Sequence, residues 1–425
     1  MKRILVVETG AGFGGALTSL ETLLSSLDAS RWEVHLLTAY PQEYIKVAGA
    51  VRRVGVLPRL RRYGPDCGLE TALRSLLGRR AGNAAFLLDL LTTGRRFAWA
   101  VADYAREHHI DIIQGNNGIL INDAVILGAR WAGRPCVVHC RCGEYPSRLG
   151  GWLARSVSRV LAVSGYVERT VLALGLWPER IALTPEGLDA EAFARGADPR
   201  GFWLRHGLPE DVPLIGLVAC LVDWKGHDVF LEACARVLPT AHAGAVIVGA
   251  EPDGSGRELS RLRQKARDLG IGDRVWFTGH EADVASAMAA CQVVVHASTS
   301  PEPFGRVILE AMALGRPVIA TRAGGPEEII ASGSDGLLVP PGDVRGLAEA
   351  LDSLLADAGL RERLGRAGLE KVRDRYTLCG HVATVEAVWE ELVGIPVRTV
   401  RTGPARQGYG GPKKTAASSQ KLDAI

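Results

Sequence analysis

Ser298-Thr299-Ser300-Pro301-Glu302-Pro303-Phe304-Gly305-Arg306-Val307-Ile308-Leu309-Glu310 follows an apolar run that ends at His296. The run reads as a β-strand, the Ser/Pro-rich piece as a loop, and the pattern from near Gly305 as a helix. In that order they make one βα unit of a parallel sheet. Glu302 then stands in the loop, the free N–H groups of Gly305 to Ile308 point into a cleft, and Glu310 falls about one and a half turns inside the helix. A helix N-terminus offers N–H donors and a positive dipole end to an anion such as phosphate, and here a carboxylate on each side can meet hydroxyls. The plainer alternative is a Glu302 that only favours the helix start and a Glu310 on a solvated face.

Outward from this unit, short runs rich in Val, Ile and Leu alternate with helical patterns twice along the chain. In the first half, strands are expected at Arg3 to Val7, Glu33 to Thr38, Asp111 to Gln114, Pro135 to Cys140, Val160 to Val163 and Ile181 to Leu183. In the second they are expected at Leu214 to Ala219, Gly244 to Val248, Arg274 to Thr278, Gln292 to His296, Pro317 to Thr321 and Gly336 to Val339. The expected fold is α/β, with two Rossmann-like doubly wound domains facing across a cleft and ligands at the C-terminal strand edges. Residues 1–190 form the first domain, 191–212 a hinge with at most a short helix, and 213–375 the second domain. In 376–394 the pattern Leu378 to Leu392 puts Val382, Val385, Val388, Trp389 and Leu392 on one face, so this helix is expected to pack back on the first domain. Residues 395–425, rich in Gly, Lys, Arg, Ser and Ala, read as a disordered basic tail.

Composition agrees with two globular cores: 425 residues, 47% apolar and 23% charged. A formal charge of +3 argues against a nucleic-acid binder. Only Ile4 to Val7 separate the basic N-terminus from Glu8, too short for a signal-peptide core, and the longest apolar stretch, Gly118 to Ala132, is broken by Asn122, Asp123 and Arg130. The expectation is a cytoplasmic protein with reduced cysteines. Cys136, His139, Cys140 and Cys142 invite a zinc reading, but side chains alternate along a strand, so His139 points away from the cysteines. No metal and no cofactor are expected.

Three further loops follow strands. Gly10-Ala11-Gly12-Phe13-Gly14-Gly15 matches G-x-G-x-x-G, yet the second strand ends Leu37-Thr38-Ala39-Tyr40 without the acid that holds a ribose, which counts against NAD. What remains is a glycine turn able to lie against an anion or a sugar, or a tight turn and nothing more. Asp223-Trp224-Lys225-Gly226-His227-Asp228 puts a lysine where a diphosphate could meet it, as a surface lysine also would be. Gly324-Gly325-Pro326-Glu327-Glu328 fits a helix cap and a ligand loop alike.

In order and spacing these segments resemble the retaining GT-B glycosyltransferases of family 4, over about 390 residues and most strongly from Ile215 to Asp343. The resemblance implies transfer of a sugar from a UDP or GDP donor to a glycan, lipid-linked or polysaccharide acceptor, without a metal. It implies that Lys225 binds the donor diphosphate, Glu310 the ribose, Glu302, Phe304 and Gly305 the donor sugar, and the amides of Arg306 and Val307 the phosphate. His139 would sit beside the sugar and leaving phosphate, Gly14 and Gly15 would line the donor site, and backbone around Gly279 and His280 would meet the base. Two positions depart from the family pattern. Cys220 stands where relatives carry an arginine, so Arg322, Arg141 or another neighbour must replace it or donor affinity falls. Glu186-Gly187-Leu188-Asp189 stands where Asn-Gly-Val-Asp is usual. Low activity, or sugar-nucleotide binding without catalysis, is the alternative that Cys220 raises; a phosphorylase or epimerase is a more distant one.

From Lys46 to Arg106, 12 Lys and Arg stand against Asp66, Glu70, Asp89 and Asp103, a local net of +8 interleaved with leucines. An anionic membrane surface or lipid-linked acceptor fits this stretch, as does a solvated basic face over an ordinary core.

Overall fold

The computed structural model describes residues 1–9, 14–38, 51–56, 94–145, 148–209, 212–252 and 254–394. Among them, two parallel sheets are built from β1 (Lys2–Glu8), β2 (Trp32–Thr38), β3 (Val51–Val56), β4 (Ile112–Asn117), β5 (Cys136–Cys140), β6 (Arg159–Ala162) and β7 (Ile181–Leu183), then β8 (Leu214–Val218), β9 (Gly244–Val248), β10 (Val275–Gly279), β11 (Cys291–His296), β12 (Val318–Thr321) and β13 (Leu337–Val339). The orders are β3-β2-β1-β4-β5-β6-β7 and β10-β9-β8-β11-β12-β13. Both are doubly wound, with the order reversing between β1 and β4 in one sheet and between β8 and β11 in the other.

The strands are near-continuous Val/Ile/Leu runs because both faces of each sheet are covered. Ile4 and Val6 of β1 point to one core, with Leu20, Leu23 and Leu24 of the helix Gly15–Ser25; Leu5 and Val7 point to the other. That second core continues from the first sheet through Phe202 and Leu208 to Val246, Val294 and Ile308 of the second sheet and its helices. The far face of the second sheet has its own core around Ile215, Phe230 and Leu351.

The helix Leu378–Leu392 returns to the first sheet, where Val385 and Trp389 are buried with Trp32 and Ile4. The Trp389 ring meets Trp32 edge-on at 5.3 Å, and its indole N–H donates to Gln114 Oε1 at 2.9 Å.

Three expectations need correction. Strand β3 was not foreseen, because Arg52, Arg53 and Gly55 break its apolar pattern; it is an edge strand whose arginines are exposed. The hinge holds two helices, Ala190–Ala194 and Pro199–His206, because Asp189 and Asp198 each accept an amide of the first turn. Strand β5 ends at Cys140, so the alternation argument does not reach Cys142, whose thiol lies 3.0 Å from Asn117 O. Residues 10–13, 46–50, 57–93 and 395–425, with most of the glycine turn, most of the basic stretch and the tail, lie outside the described residues. Among the described residues, no helix is long and apolar enough to cross a membrane.

Candidate functional site

The loops at the C-terminal ends of the strands make the polar contacts between the two sheets. Beside the switch point of the second sheet, the 3-10 turn Asp223–Lys225 follows β8 and the helix Arg306–Ala313 follows β11. Lys225 Nζ donates to Glu302 Oε2 at 2.7 Å and lies 4.0 Å above the Trp224 ring. Gly226, with φ 74° and no room for a Cβ beside Ala297 O, permits this turn. His296 Nε2 (3.2 Å) and Ser298 Oγ (3.1 Å) reach the same carboxylate oxygen. Burial alone would raise the Glu302 pKa, but the His296 hydrogen bond and the Lys225 charge outweigh it and hold the carboxyl at about 2. It stays ionised and accepts hydrogen bonds.

The helix begins at Arg306, with Gly305 as its N-cap at φ 103°. Of the four amides expected free, Ile308 N turns back to Gly305 O at 2.9 Å, closing the first turn, while those of Arg306 and Val307 have no partner among the described residues. Arg306 Nε donates to Glu310 Oε1 at 2.8 Å. The Phe304 ring is buried against Tyr376, so this residue can offer a ligand only its backbone. Cys220 is half-buried after β8. Gly279, at φ 75°, ends β10, and its carbonyl accepts from Gly249 N–H; His280 beyond it is exposed.

Across from these loops, His139 is fully buried at the end of β5. Arg141 Nη2 lies 3.2 Å from its Nδ1. A guanidinium only donates, so Nδ1 accepts and the ring proton sits on Nε2, which has no partner among the described residues. Burial first, and then the charges of Arg141 and His381, push the His139 pKa well below 6.5. His381, from the returning helix, stacks on it at 5.8 Å. The Gly14-Gly15 turn opens the helix after β1, and a Cβ on Gly15 would stand 3.9 Å from Arg306 Cδ.

Several partners were not legible in the sequence. Glu186 takes Arg141 and Ser19 and stands 3.9 Å from Arg306, which gives the unusual residue of the Glu186-Gly187-Leu188-Asp189 turn a role at the domain junction. Arg141 is thereby engaged by its own domain, and Arg322 is exposed at the end of β12. Glu328 of the Gly-Gly-Pro-Glu-Glu loop accepts the amides of Gly165 (2.8 Å) and Tyr166 (2.7 Å), capping a helix of the opposite domain. Beside it Ser164 Oγ donates to Pro303 O at 2.5 Å. Among the described residues, no group of three His, Cys, Asp or Glu side chains is arranged to hold a metal.

Two family models divide the chain: the one described as "Glycosyltransferase Family 4" matches residues 13–192, and "Glycosyl transferases group 1" matches 205–371. The chain is 37% identical over 237 residues to the lipopolysaccharide core biosynthesis glycosyltransferase LpsE of Rhizobium meliloti (strain 1021), covering 56% of this chain and 65% of that one. It is 37% identical over 203 residues to the D-inositol 3-phosphate glycosyltransferase of Stackebrandtia nassauensis, covering 45% of each. The matches thus span less than two thirds of these relatives' length. Among solved structures, HepE of Anabaena in complex with UDP superposes with a TM-score of 0.72 at 25% identity, covering 92% of this chain and all of that one. Sucrose-phosphate synthase from Thermosynechococcus elongatus shares the fold, with a TM-score of 0.73 at 22% identity.

Proposed function

This chain belongs to the GT-B glycosyltransferases of family 4, and we propose that it moves a sugar from a UDP or GDP donor to a glycan, lipid-linked or polysaccharide acceptor, with retention at the anomeric carbon. One observation carries the reading: Lys225, Glu302, Glu310 and the unpartnered amides of Arg306 and Val307 gather at the switch point of the second sheet, opposite His139 and the Gly14-Gly15 turn.

On this reading the donor phosphates take the place of Glu302 on Lys225 and receive the free helix amides. The bond between the anomeric carbon and the β-phosphate oxygen breaks, and the departing charge is met by Lys225 and the amides, so the residues themselves supply the electrostatic stabilisation without a metal. Glu302, released from Lys225, accepts sugar hydroxyls, and Glu310 accepts ribose hydroxyls. His139 donates from Nε2 and cannot act as a base there while Arg141 occupies Nδ1. The acceptor oxygen attacks from the face the diphosphate leaves and gives its proton to a leaving phosphate oxygen. The bound UDP of HepE supports a nucleotide donor, and the LpsE match supports a glycan or lipid-linked acceptor.

The test is release of UDP or GDP from a panel of nucleotide sugars, with Glu310→Ala as the control that abolishes it. Cys220 supports a second reading, a sugar-nucleotide binder with little turnover; binding of a donor without release, unaltered by Cys220→Arg, would favour that reading.

A further inference from the structure

Cys220 leaves the expected site with one cation fewer than the family pattern implies, and among the described residues the geometry points to Arg306 as the side chain that makes up the deficit. We infer that the Arg306 guanidinium, and not only its backbone amide, binds the donor diphosphate; the inference rests on the transferase reading above.

Arg306 is the first residue of its helix, so its side chain starts where the unpartnered amides are. It does not leave for solvent: the side chain is 14% exposed and passes close to Gly15 of the opposite domain. Its Nε is used by Glu310, while its two Nη groups make no hydrogen bond among the described residues; Nη1 faces Glu186 Oε2 at 3.9 Å, an ion-pair separation beyond hydrogen-bond reach. A mostly buried guanidinium with its outer fork unfilled carries a desolvation cost that an incoming anion removes. The fork matches a phosphate in two parallel hydrogen bonds. Glu310 fixes the near end of the side chain, so little rotamer freedom is lost when the far end is filled.

The two other arginines are less suited. Arg141 gives Nη1 to Glu186, Nη2 to His139 and Nε to Asn116. Arg322 follows β12, one strand further from the Lys225 loop, and is exposed.

The experiment is calorimetric titration of the full chain with UDP and GDP, and with uridine and guanosine, for wild type, Arg306→Met, Arg306→Lys, and Arg306→Met combined with Cys220→Arg. The inference expects Arg306→Met to weaken the diphosphate at least tenfold while changing the nucleoside less than twofold. Arg306→Lys should lose a smaller factor, since the charge stays and the fork goes. Cys220→Arg should restore most of the loss. Unchanged diphosphate affinity in Arg306→Met overturns the inference, as does equal loss of diphosphate and nucleoside, which would mean that Arg306 acts only through Glu310. Should Arg306→Met not fold, an Arg306→Lys protein that binds the diphosphate like wild type overturns it. A wild-type chain that binds neither UDP nor GDP instead sinks the transferase reading itself.

Discussion

Lys225 Nζ and Glu302 Oε2, 77 residues apart in sequence, are hydrogen-bonded at 2.7 Å, so the expected phosphate-binding and sugar-binding side chains neutralise each other. On the proposed reading, donor binding would exchange this contact for two others. Removing the lysine alone leaves a mostly buried carboxylate short of a partner. Lys225→Met is therefore expected to raise the Glu302 pKa from about 2 toward ordinary carboxylate values. The sign follows from linkage: a depressed carboxyl pKa contributes stability above 4.5 that is lost as pH falls through about 2. In Lys225→Met the folded and unfolded values come together, so the part of the acid loss that Glu302 causes between pH 4.5 and about 2 should shrink, read as melting temperature between pH 6 and 3. An acid limb as steep as that of wild type would refute it.

Burial holds the His381 pKa at about 3 and that of His227 at about 4, and pushes His139 down as well. These rings fold neutral, whereas the unfolded chain binds their protons once pH drops below about 6.5. Stability is therefore expected to fall as pH drops below about 6.5 and to keep falling to about 4 for His227 and about 3 for His381, a window that starts above that of Glu302 and overlaps its upper part. His227→Gln should flatten this limb. The check is urea unfolding at each pH, and an identical slope in wild type and variant would count against it.

Glu328 caps a helix of the other domain through the amides of Gly165 and Tyr166. Glu328→Ala is expected to cost about 1 kcal/mol, the usual value of a lost cap. It should also speed hydrogen exchange at those two amides while leaving the second sheet protected. Exchange followed by mass spectrometry distinguishes this local effect from a global one.

Trp389 is fully buried, packs on Trp32 and donates to Gln114. Trp389→Ala should cost about 3–5 kcal/mol through the cavity and the stranded Gln114 carbonyl. Trp389→Phe, which keeps most of the ring volume, should lose less. Denaturant midpoints measure both, and a Trp389→Ala protein as stable as wild type would show that the helix does not close the first core.

Periodicity and turn residues carried most of the fold, because a parallel strand buried on both faces and an amphipathic helix each leave a local pattern. Leu378–Leu392 was legible to the residue. Strand β3 was not, since an edge strand need not be apolar, and the hinge helices were hidden by Gly and Pro around their capping aspartates. In the site, Lys225, Glu302 and Glu310 stand out in two loops, while their roles and that of the Arg306 amide came only from the family resemblance. That Glu302 is held by His296 and Ser298, that Glu186 ties Arg141 to the Arg306 side of the junction, and that Glu328 caps the opposite domain could not. Those contacts join residues up to 163 positions apart. The sequence by itself determined two doubly wound halves and the chemical types at their strand ends. Only the tertiary structure decided which charge meets which, because pairing depends on distances across the junction that no local pattern encodes.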